Sequence, residues 1–289
     1  MRGRFSLAGP GPAFSLCAAG LRRWEVMRQA LLILNLCALF FCVLSVPPAG
    51  AEDWKFSSSA CFDTGKYGTG QRTSTLYIPF TLKRYYPYST LSVTLPYIRQ
   101  SSRGLVTRVG GRPARIAGAG VKTAQGSSAS GIGDILAKGT YALETEGQDS
   151  FYLALAGTLK LPTADKTRGL GTGEMDEGAG VEFSKDMRRG WTLLADWSLT
   201  IIGSPPGQSY NNQVAFDFGF SRKAGRGLWF TMLYETSSAL VTGTPDPRDI
   251  SGTLDYASAG GNHYFGGLLL GLSDGSPDLG VSLGVSRRL

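Results

Sequence analysis

Side chains in much of this chain change character at every step, and that alternation constrains the fold more than any single motif. In 191–203, Trp191, Leu193, Ala195, Trp197, Leu199 and Ile201 share one register, while Thr192, Asp196, Ser198 and Thr200 share the other. In 211–223, Val214, Phe216, Phe218 and Phe220 oppose Ala215, Asp217, Gly219 and Ser221. The split recurs with Leu91, Val93, Leu95 and Tyr97 against Ser92 and Thr94, and with Leu228, Phe230, Met232 and Tyr234 against Thr231 and Glu235. A period of two places successive side chains on opposite faces of a strand. A helix would need a period near 3.6 and would suffer from a chain with 40 glycines.

Connections between these segments alternate in length. Odd ones are long, at 63–71, 101–130, 162–177, 204–210, 241–247 and 273–277, and even ones are short, at 85–88, 145–149, 187–190, 224–226 and 259–261. Short turns at one rim and long loops at the other are the pattern of an outer-membrane β-barrel with both termini in the periplasm. A barrel closes because hydrocarbon offers no water to an open sheet edge. The expected fold is therefore all-β, an antiparallel transmembrane barrel of about twelve strands over 52–289. The last segment carries Leu279, Val281, Leu283, Val285 and Leu289 on one register, as expected of a closing strand. An exported β-sandwich also alternates, but it would not need aromatics near strand ends such as Tyr85, Tyr86, Tyr88, Tyr97, Trp191 and Tyr264.

Ahead of the strands, 27–51 reads as a cleaved signal peptide. Arg28 opens it, Ala30 to Val46 is apolar apart from Asn35 and Ser45, and Ala49 and Ala51 follow Pro47 and Pro48, placing cleavage before Glu52. A retained membrane helix is the rival for that segment. Residues 1–26 are expected to be a dispensable extension, with Met27 the true start. The mature part then carries 24 basic and 21 acidic residues, too mild a balance to suggest nucleic acid. Cys61 is its one cysteine, which excludes an internal disulfide.

Several pieces together resemble a bacterial outer-membrane family labelled for a meta-pathway of phenol degradation, or simply as transporters. They are Tyr67-Gly68-Thr69, Thr94-Leu95-Pro96-Tyr97-Ile98, Ser130-Gly131-Ile132-Gly133-Asp134, Leu159-Lys160-Leu161-Pro162-Thr163-Ala164-Asp165 with Gly169-Leu170-Gly171-Thr172-Gly173, Gly203-Ser204-Pro205-Pro206-Gly207, and Ser273-Asp274-Gly275-Ser276-Pro277-Asp278. The resemblance implies a barrel porin or transporter with a loose association to aromatic breakdown. It implies no catalytic residues and no cofactor.

If the apolar register faces lipid, the lumen receives an acidic wall of Asp196, Asp217, Glu235 and Asp255 and a basic wall of Lys83, Lys138 and Lys160. Such walls would either set a transverse field across a wet passage or pair across a narrow one and seal it. The loop 101–130 holds Arg103, Arg108, Arg112, Arg115 and Lys122 and no acid. It is expected outside the membrane, solvated or touching lipopolysaccharide phosphates, with a fold into the lumen as the other course. Gly169-Leu170-Gly171-Thr172-Gly173 lacks the lysine of a nucleotide loop and reads as a turn. Asp165, Glu174, Asp176 and Glu177 could gather calcium, although such loop acids are more often solvated. The single histidine, His263, has no serine within two residues, and Cys61 has no histidine nearby in sequence, so no catalytic or metal site is expected.

The expectation is a porin-like channel or transporter in the bacterial outer membrane, not an enzyme. It would pass small solutes passively, aromatic or anionic compounds among them. Its partners would be outer-membrane lipids, lipopolysaccharide, the barrel assembly machinery and a small-molecule solute. A non-conducting barrel with a structural, adhesive or lipopolysaccharide-contact role is the alternative.

Overall fold

The structure is a computed structural model that describes residues 54–69, 71–101, 106–116, 128–144 and 151–289. Residues 1–26, the segment 27–51 expected to be a signal peptide, Arg103 and Lys122 lie outside the described residues.

Fifteen strands appear in chain order: β1 (Trp54–Gly65), β2 (Thr73–Tyr85), β3 (Ser89–Gln100), β4 (Val106–Val109), β5 (Arg112–Arg115), β6 (Ala129–Ile132), β7 (Ile135–Glu144), β8 (Phe151–Leu161), β9 (Asp176–Asp186), β10 (Trp191–Ile201), β11 (Gln213–Gly225), β12 (Leu228–Ser237), β13 (Arg248–Ala257), β14 (Asn262–Gly271) and β15 (Leu279–Arg288). All but β4 and β5 form one sheet, in which β1 pairs with both β2 and β15 and so closes the ring. β6 and β7 both pair with β3 and are two parts of one barrel strand, interrupted at Gly133 and Asp134. The result is a closed antiparallel barrel of twelve strands.

The register shows why these segments choose a barrel over a sandwich. Trp197 pairs with Val181 and Phe216, so the apolar register of one strand meets that of its neighbours. That face is left uncovered: Trp197 is 47% exposed, Phe218 46%, Leu155 49% and Leu283 68%. A sandwich would hide these side chains against a second sheet, whereas here they form a continuous outer face that needs lipid. Burial of each such side chain in hydrocarbon contributes about 1.5–3 kcal/mol.

The inner register is joined by hydroxyl pairs across strands, with Thr81 to Thr94 at 2.7 Å, Thr90 to Thr140 at 2.8 Å and Ser221 to Thr231 at 3.0 Å. Pro79, which lacks an N–H, stands opposite Pro96, and the β1–β2 pairing lapses beside it without changing alignment.

The connections follow the expected parity, with shorter links such as 86–88 and 258–261 at one rim and longer ones such as 162–175 and 202–212 at the other. The turn expected at 145–149 lies outside the described residues. The long connection after β3 departs from expectation, because its described part is not an open loop. It contains the β4–β5 hairpin, and its end joins the barrel wall as β6. Gly110 and Gly111 make the turn at φ 58° and 88°, the positive values a two-residue hairpin turn requires.

Candidate lumenal site

Two arginines tie the hairpin to the inner wall, and a third ties it to the loop after β1. Arg108 donates to Asp63 on β1 and to the Gly111 carbonyl at 2.7 Å, and its guanidinium lies 4.0 Å from the Tyr77 ring centre. Arg112 reaches β11 with a fork, Nη1 to Asp217 Oδ1 at 2.7 Å and Nη2 to Asp217 Oδ2 at 2.5 Å, and its Nε lies 3.6 Å from Glu235 on β12. Arg115 donates to the carbonyls of Tyr67 and Gly68, each at 3.1 Å. Val109 and Ala114 pack with Ile202 and Leu240 from the loops after β10 and β12. These contacts place the hairpin inside the barrel, because Asp63, Asp217 and Glu235 all belong to the inner register.

The extracellular course expected for the basic loop is therefore corrected to its other course, a fold into the lumen, at Arg108 and Arg112, while Arg115 turns to the loop carbonyls of Tyr67 and Gly68. Lumenal carboxylates and loop carbonyls offer them charge and hydrogen bonds that an exposed loop lacks. Burial disfavours the charged form of Arg112. Its hydrogen bond to Asp217 and the charges of Glu235 and Asp217 outweigh this and push its pKa up.

The acidic residues form a row that the sequence alone only partly shows. Glu182, Asp196, Asp217, Glu235 and Asp249 lie opposite one another in successive pairs from β9 to β13. Asp255 does not join them. It lies further along β13 and contacts His263 Nδ1 at 3.1 Å. Glu182 was legible in the alternation of β9, between Val181 and Phe183, and was missed. Asp249 enters the row only through the register of β12 with β13.

The basic residues do not form one wall. Lys138 crosses to Glu182 at 2.6 Å. Lys160 is 4% exposed and lies 2.7 Å from Asp176 and 3.6 Å from Asp134, with Thr172 at 3.0 Å. It fastens the 162–175 loop to the strand interruption at Asp134 and gives the lumen no free charge. Lys83 stays on the inner face opposite Lys55, which in turn stands opposite Arg288. The sequence reading missed Lys55 and Arg288, although both fall on inward steps of the alternation.

Beside the hairpin tip a cavity of about 230 Å³ is bounded by Gly110, Arg112, Lys138, Glu182, Asp196 and Asp217, among others. A second, of about 150 Å³, shares Val109, Gly110 and Lys138 and extends to Lys160 and Asp176. Among the described residues no group of His, Cys, Asp and Glu is arranged to hold a metal ion. In the loop whose acids are a minor calcium candidate, Asp165 caps a short turn through the Thr167 and Arg168 amides, and Asp176 serves Lys160 and the Gly203 amide. Ser286 stands opposite His263 but is 3% exposed, which leaves its hydroxyl no approach for a substrate carbonyl.

A closed strand ring, an apolar outer face and a charged lumen narrowed by an inward hairpin define a β-barrel of the bacterial outer membrane. Within that class, the chain belongs to the family described as "Putative MetA-pathway of phenol degradation", whose model matches residues 69–288. Its fold is similar to that of the COG4313 outer membrane channel from Pseudomonas putida F1, at 14% identity and a TM-score of 0.65, covering 84% of this chain and 99% of that one. It is also similar to the NanC porin, at 8% identity and a TM-score of 0.53, covering 81% of this chain and all of the porin. No curated protein matches the sequence.

Proposed function

We propose that this barrel is a passive channel for small solutes, and that the space between the hairpin and the acidic row is its selective passage. The observation carrying this reading is the cavity of about 230 Å³ between Gly110 and Asp196. It is walled by charges of both signs set among small and apolar side chains, and is smaller than the usual range of about 300–1,000 Å³ for drug-sized ligands. Arg112 and Lys138 face Glu182, Asp196, Asp217 and Glu235 there, so carboxylates outnumber cations. Small cationic or dipolar solutes should be favoured at that level. Lys55, Lys83 and Arg288 give the inner face an opposite sign nearer the termini, and an anion entering from that side would meet attraction first and repulsion later. Aromatic solutes come to this reading from the family description alone.

The reading makes the protein a non-enzyme, assembled by the barrel assembly machinery and seated among lipopolysaccharide. Its test is single-channel recording of purified, heat-modifiable protein in a planar bilayer under a salt gradient. Stable steps with a cation-favouring reversal potential support it, and Asp196→Asn should weaken that preference. Silence from folded protein would favour the non-conducting alternative, for which the arginine-tied hairpin filling part of the lumen is the supporting observation.

A further inference from the structure

Cations collect on the turn rim beside β9, β10 and β11. Lys185, Arg188, Arg189, Arg222 and Arg226 are all exposed there. Asp186, on the same stretch, accepts a hydrogen bond from Thr192 on the inner register at 2.7 Å, so it does not neutralise the outer wall. The short-turn rim of an outer-membrane barrel faces the periplasm.

Two of these cations lie on the lipid-facing register. Lys185 pairs with Leu193, and Leu193 with Phe220, while Arg222 pairs with Trp191 on one side and Phe230 on the other. Lys185 and Arg222 are thus two strands apart and offset by two residues, about 12 Å between backbones from standard strand spacings. Their side chains can converge on one anion placed between them. Arg222 lies 4.9 Å from the Trp191 ring centre, and Trp191 packs edge-on against Phe220 with ring centres 5.0 Å apart. Stacking fixes the flat face of a guanidinium and leaves its edge N–H groups to bind a phosphate. Aromatic rings of this kind mark the depth of the headgroups.

We infer that Lys185 and Arg222, flanking Trp191, form a binding site for the phosphodiester of an anionic phospholipid in the periplasmic leaflet. Arg188 and Arg189 in the adjoining turn add to its field. The lipid, and not a soluble anion, is the occupant because both cations project from the same wall as Leu193 and Phe220, where hydrocarbon chains must lie. The site is independent of whether the lumen conducts.

The test is native mass spectrometry of the full protein, purified in neutral detergent and offered phosphatidylglycerol, phosphatidylcholine or inorganic phosphate. Phosphatidylglycerol should be retained at least fivefold more than phosphatidylcholine. The Lys185→Gln/Arg222→Gln pair should abolish most of that difference, and Lys166→Gln in a loop at the other rim should keep it. Heat-modifiable migration confirms that each variant is folded. Equal retention of the two lipids, or retention unchanged in the double variant, overturns the site. Displacement of the lipid by equimolar inorganic phosphate overturns the lipid assignment.

Discussion

Arg112→Gln is the substitution that most directly tests whether the hairpin governs the passage. It removes a two-bond fork to Asp217 and the nearby positive charge at Glu235. Breaking a fully buried pair costs about 3–5 kcal/mol, because a charge is left without its partner. Here the Arg112 side chain is 41% exposed and that of Asp217 13%, so lumenal water recovers much of the loss. A net weakening of about 1–2 kcal/mol is reasonable after that discount. Arg108, Arg115 and the Val109–Ala114 packing still hold the hairpin. The ratio of displaced to seated hairpin should then rise roughly 5- to 30-fold. In a planar bilayer this should appear as more frequent high-conductance events. Reversal potential should shift toward cations, since two carboxylates lose their counter-ion. The exchange Arg112→Asp with Asp217→Arg should restore much of the original behaviour. Unchanged conductance and reversal potential in folded Arg112→Gln protein would refute the role given to the hairpin.

Other outcomes follow from the same geometry. Lys160→Met leaves Asp134 and Asp176 without their shared cation and should destabilise the barrel by about 3–5 kcal/mol, read as a lower temperature for the heat-modifiability transition. Gly271→Ala should lower the same temperature, because a Cβ there would run into the Pro277 carbonyl. Tyr67→Phe should be neutral or stabilising near pH 7, since among the described residues the buried Tyr67 hydroxyl has no hydrogen-bond partner. Burial and nearby acids push the Tyr67 phenol up, so the folded state holds its proton more tightly than the unfolded chain. Its contribution is present below the ordinary phenol pKa of about 10 and is lost as pH rises toward the folded value. The parent protein should therefore lose stability in alkaline melts that Tyr67→Phe resists; matching alkaline profiles would count against this.

How much of the site was legible depends on whether its residues obey the strand period. Asp196, Asp217 and Glu235 fall on inward steps of clear alternation, and the structure brings these three together. Asp255 obeys the same period but stands apart, since alternation gives a face and not a height along the barrel. The Gly110-Gly111 turn flanked by Val109 and Arg112 was a hairpin signal in plain view, yet so few residues could not reveal whether the hairpin turned outward or inward.

The period-two pattern and the alternating connections by themselves determined a closed barrel with an apolar exterior. Both are local properties, and hydrocarbon leaves such a chain no other way to satisfy its backbone. Only the tertiary structure decided which charges meet. Asp63 with Arg108, Asp217 with Arg112, and Lys160 with Asp134 and Asp176 join residues brought close by strand register and by a hairpin folding back into the lumen. Pairing across a lumen depends on the stagger of the whole ring, and one-dimensional spacing does not contain it.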